Sequence, residues 1–127
     1  MKSTKNKTEY LFGLPLPVGV EIIIVKKQPA RGYFCEPMVA LKMGYKKEPT
    51  IILDYSSGRL KSILAHEIGH FLHWQETNFI GLEQQFYEKE RQADIYAKKW
   101  YKENVGNIRG IRFLNLPPKE KEKIKKL

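Results

Sequence analysis

The stretch His66-Glu67-Ile68-Gly69-His70 constrains this chain more than any other, because its spacing suits one local structure and one chemistry. Residues four apart on an α-helix stand one above the other, so a helix over about residues 58–75 aims both imidazoles at a single point. Zinc takes neutral imidazole nitrogen, and Glu67, beside the first histidine, can accept a proton from a water that the ion has made acidic. A helix there also places Leu60, Leu64, Ile68, Phe71 and Leu72 on a core-facing stripe, with Ile63, His66, His70 and His73 on the adjoining face. Gly69 costs about 1 kcal/mol against Ala in a helix interior, which predicts close approach by another segment. Ser56 or Ser57 is the expected N-cap.

A third ligand has to come from elsewhere in the chain. After a break at residues 78–81, a second helix is predicted over residues 82–104, closed by Gly106, with Phe86, Ala93, Ala97 and Trp100 on its apolar face. Glu90 falls four residues after Phe86 and three before Ala93, inside that stripe. A carboxylate facing a core must be paired or coordinate a metal, so Glu90 is the expected third ligand of one zinc ion. Asp94, one turn on, is placed to accept a hydrogen bond from the outward ring nitrogen of His66 or His70. His73 cannot share an ion with His66, because seven helical residues span about 10.5 Å while a ligand nitrogen lies about 2.1 Å from zinc. Cys35 is the alternative upstream ligand, at the cost of leaving Glu90 unexplained.

Strand signals precede the first helix. Glu21–Val25 is β-branched and bounded by Gly19 and Pro29, which predicts a central strand buried on both faces. Tyr33, Phe34 and Cys35, then Met38, Val39, Ala40, Leu41, Lys42 and Met43, read as a second extended region broken by Pro37, an edge strand. Residues 50–55 form a third strand. The expectation is an α+β domain with about three strands packed on the HExxH helix and a second helix. All 127 residues fit one compact domain with a single core, residues 1–8 being frayed.

Cys35 is the sole cysteine, so there is no internal disulfide, and a reducing, cytoplasmic setting is expected. The longest apolar run, residues 22–25, is too short to cross a bilayer. Residues 1–20 have the basic-then-apolar order of a signal peptide, but Pro15 and Pro17 interrupt it and no A-x-A-like site follows. The 23 Lys and Arg against 14 Asp and Glu give a formal charge of +9. Apart from the lysine-rich run at residues 119–126, these charges are spread along the chain, which argues for a solvated basic surface over a nucleic-acid stripe.

Taken together, residues 66–73 (HEIGHFLH) and residues 90–97 (ERQADIYA) resemble the ImmA/IrrE-type metallopeptidases, whose second motif has the form E-x-x-A-[ND]-x-[FY]-A. With the preceding strand, the resemblance covers roughly residues 50–101, and the compact members of the gluzincin clan, the minigluzincins, are similar in length. It implies a zincin-like fold, ligands His66, His70 and Glu90, base Glu67, Asp94 supporting a histidine, and a peptide or protein substrate cleaved without an acyl-enzyme. In that clan the edge strand before the last strand binds substrate, which here points to Met38, Val39, Ala40, Leu41, Lys42 and Met43. A Tyr, His or Arg usually completes oxyanion stabilisation, with Tyr87, Tyr101, Arg109 and Arg112 as unranked candidates. Minigluzincins are known for latent forms, so residues 107–127, or the same segment of a second copy, are expected to cover the cleft. The chain departs from many ImmA/IrrE members in having Lys98-Lys99-Trp100 in place of an L-M-P ending and in lacking a helix-turn-helix. Two other readings stand beside this one: a deformylase-like amidase using Cys35, and a zinc-stapled, non-catalytic module that binds nucleic acid or protein.

Overall fold

A computed structural model of the chain describes residues 9–26, 32–56, 59–82 and 85–104. Their elements run in the order β1 Tyr10–Leu11, β2 Leu14–Pro15, β3 Glu21–Val25, β4 Gly32–Cys35, α1 Pro37–Lys42, β5 Thr50–Asp54, α2 Leu60–Thr77 and α3 Phe86–Asn104. This is a small α+β fold, a three-stranded mixed sheet packed on helices, with a separate two-stranded hairpin.

The sheet order is β3-β5-β4, with β5 parallel to β3 and antiparallel to β4. Every residue of β5 is buried. Ile51 and Leu53 join the core beneath α2, while Ile52 faces the other way, against Cys35 and Ala40. The central strand is therefore β5. Glu21–Val25, expected in that place, is an edge strand with Ile24 43% exposed. A run of β-branched residues marks a strand but not its neighbours, and only β5 has a strand on either side.

The extended segment expected over Met38, Val39, Ala40, Leu41, Lys42 and Met43 is instead helical. Pro37 opens α1. At a first helical position its missing N–H leaves no bond unmade and its fixed φ suits the turn. Ala40 is buried beneath α1, and Met38, Val39, Leu41 and Met43 are exposed. The backbone groups of 38–42 are thus committed to a helix, and the strand bordering β5 on this side is β4.

No serine caps α2. Its N-cap is Arg59, in the left-handed region at φ 59° with no side-chain cap bond. Ser56 instead donates from both its N–H and its hydroxyl to Asp54 Oδ1, at 2.9 and 2.7 Å, closing the turn that leaves β5. Ser57 lies outside the described residues.

From Ser62 to Phe71 every residue of α2 is buried, because the sheet covers one side and α3 the other. The close approach predicted at Gly69 is made by α3: a Cβ there would overlap the Ala93 carbonyl oxygen. Ala93, Ala97 and Tyr101 are buried on α3, whereas Phe86, expected on the same face, is 61% exposed. In the hairpin, Phe12 and Gly13 both have positive φ, the requirement of a type I′ turn. Its Leu14 is buried in the main core. The Tyr101 hydroxyl donates to the Pro15 carbonyl at 3.3 Å, fastening the hairpin to the end of α3.

Candidate metal centre

Because α2 and α3 meet at a glycine, side chains on their facing sides converge. His66 Nε2 lies 2.8 Å from Glu90 Oε1, and His70 Nε2 lies 2.8 Å from Glu90 Oε2. One donor atom from each of these three buried residues falls within 4.8 Å of the others, so the group could hold a metal ion. On its far side His66 Nδ1 is 2.7 Å from Asp94 Oδ1. A neutral imidazole has one N–H, and two carboxylates claim the two nitrogens of His66. If Nδ1–H donates to Asp94, a lone pair on Nε2 is left facing Glu90. That arrangement calls for a proton or a metal cation between Nε2 and Glu90.

Electrostatics express the same demand. Burial works to lower the His66 pKa, but its bonds to Asp94 and Glu90, with the charge of Glu67, hold it up at about 10. Burial would raise the Glu90 carboxyl, and the bonds from His66 and His70 outweigh it, holding the pKa at about 2. The site thus concentrates negative charge where a cation would sit.

Glu67 lies one residue from His66 and is 2% exposed, and its Oε1 is buried without a hydrogen-bond partner. Burial raises its pKa, and the His66 and His70 imidazoles oppose that shift. It lines a cleft of about 560 Å³ together with His70, Glu90 and the strand residues Gly32, Tyr33 and Phe34. Gly32 permits this proximity, since a Cβ there would stand 2.8 Å from Ile63 Cγ2 and 3.3 Å from Glu67 Cγ.

Phe79 closes the cleft beside His70. Asn78 and Phe79 both have positive φ, at 55° and 58°. For phenylalanine this costs about 1–3 kcal/mol, which the surroundings must offset. The Phe79 N–H donates to Thr77 Oγ1 at 3.1 Å, and its ring stands edge-on to His70, His73 and Phe34. His73 is a packing residue, stacked on Tyr96 at 5.0 Å.

Cys35 is not a member of the donor group. It packs with Ile52 and Ala40 in the smaller core, its thiol donates to Met43 Sδ at 3.6 Å, and burial raises its pKa. Among the oxyanion candidates, Tyr101 is spent on Pro15 and Tyr87 is an exposed residue packed edge-on to Phe86. Arg109, Arg112 and the expected covering segment 107–127 lie outside the described residues. Sequence reasoning missed Gly32, Glu36, Phe79 and Lys89 as cleft residues. The sole local signal was Asn78, a residue that tolerates the left-handed conformation ending α2.

No helix among the described residues is long and apolar enough to cross a membrane. Comparison of the chain with protein-family models, curated proteins and solved structures finds no match.

Proposed function

We propose that the protein is a zinc-dependent endopeptidase of the gluzincin kind, with a zincin-like fold. The observation that carries the reading is the buried Glu67 carboxylate, whose Oε1 makes no hydrogen bond, in one cleft with His70 and Glu90 of the donor group. Two imidazole nitrogens and a carboxylate are a donor set that suits zinc and leaves a coordination position open. A zinc ion held by His66, His70 and Glu90 would polarise a peptide carbonyl and acidify water in the cleft. Glu67 takes the proton of the attacking water and passes it to the leaving amine. Asp94 holds the His66 ring in the tautomer that turns Nε2 toward the donor group. Substrate lies in extended form along β4, the strand that lines the cleft beside Glu67.

Glu67→Gln tests the reading, since it removes the base and keeps all three donors. The variant should fold, bind zinc at one equivalent by metal analysis, and lose hydrolysis of an unstructured protein substrate. Wild-type turnover in the variant would sink the assignment of the base. Zinc binding without hydrolysis by either protein would favour a structural metal site.

A further inference from the structure

Two charges in the cleft have no part in that mechanism. Glu36, between β4 and α1, lines it from the sheet side, and Lys89 lines it from α3. Glu36 sits at the N-cap of α1 without making a side-chain cap bond. Among the described residues neither side chain forms an ion pair, with the other or with any third group. The Lys89 ammonium stands 4.9 Å from the centre of the Phe79 ring. Such a contact contributes about 0.5–1 kcal/mol at a partly exposed site and positions the ammonium without neutralising it. Glu36 is likewise half-buried and uncompensated, on a chain whose formal charge is +9. Opposite charges on two walls of one cleft attract, so their failure to meet leaves room for something that satisfies both. The walls carry the Phe34 and Phe79 rings, which stack edge-on at 6.2 Å and suit an apolar side chain.

We propose that Glu36 and Lys89 select substrate by charge. The cleft takes a peptide segment with a basic side chain toward Glu36, an acidic side chain toward Lys89, and an apolar or aromatic residue between them. This rests on the reading of the cleft as a peptide-binding site. It adds that segments uniformly basic or uniformly acidic are disfavoured, because one of their charges meets a like charge.

The test is equilibrium binding to the Glu67→Gln protein, which separates recognition from hydrolysis. Fluorescein-labelled peptides share an apolar centre and carry flanking Lys and Glu in one order, in the reverse order, or replaced by Gln. Anisotropy should show one charged order binding about three- to tenfold tighter than the Gln peptide, with the advantage lost in about 0.5 M salt. Glu36→Gln and Lys89→Gln should each erode that advantage, and the double exchange Glu36→Lys with Lys89→Glu should transfer it to the reverse order. Equal binding of all three peptides, or a preference unmoved by the single variants with circular dichroism unchanged, would overturn the charge selection. A charge preference in binding, with none of the peptides cleaved by the zinc-loaded wild-type protein, would sustain the selection and remove the peptidase reading. Cleavage of all three at one rate would do the reverse.

Discussion

The seam between α2 and α3 lines the cleft, whereas the rim formed by Glu36 and α1, whose Ala40 packs with Ile52 on the opposite face of the sheet, is built by the opposite rule. At the seam, His66, Glu67, His70, Glu90 and Asp94 are all buried, and the histidine–carboxylate pairs meet at 2.7 to 2.8 Å. At the rim, Met38, Val39, Leu41 and Met43 are exposed and Glu36 has no charge partner among the described residues. A buried charge without a partner is expensive, so geometry at the seam is tightly determined, whereas solvent tolerates variation at the rim. A closely determined cluster and a tolerant surface thereby belong to different elements.

Gly69→Ala strikes the seam hardest, because the new methyl group would overlap backbone of α3 and no side chain can rotate away. A loss of about 3 kcal/mol or more in denaturant unfolding, or failure to fold, is expected. A near-neutral result would mean that the helices are not held at this distance. Next in size, Glu90→Ala should lower zinc affinity by more than about 100-fold in competition with a chromophoric chelator, while Asp94→Ala lowers it by about 10- to 100-fold. Equal losses would erase the distinction between a donor and the group that orients one. Smallest is Leu41→Ser at the rim, expected to change unfolding free energy by no more than about 0.5 kcal/mol. A large loss there would show that the rim is packed against something, and the contrast between the two regions would fail.

The seam was also the part most legible in the sequence. Helical periodicity alone put a carboxylate at position 90 on an apolar stripe, and the cost of burying it paired that stripe with the two histidines. Gly69 announced a close neighbour for the same kind of reason. The rim was misread because a short, mostly apolar stretch such as 38–43 satisfies a strand and a helix equally. Pro37 decided between them, and its meaning depends on whether it lies before a helix or within a strand. The neighbours of β3 and β5 were hidden too, since a parallel pair is brought together by an intervening crossover rather than by a turn that sequence can mark. Phe79 was signalled only by the Asn78 before it, because its place edge-on to His70 follows from a left-handed backbone that phenylalanine seldom adopts.

The bond from Tyr101 to Pro15 bears on the order in which the molecule assembles. It joins residues 86 apart in the chain, whereas His66 and Glu90 are separated by only 24. Closing the longer loop costs about 1 kcal/mol more in chain entropy, by the logarithmic dependence on length. The helical pair bearing the donor atoms is therefore the cheaper closure, and the hairpin is expected to dock after it. Contacts of short span also favour fast folding, which makes the helical pair the expected starting point.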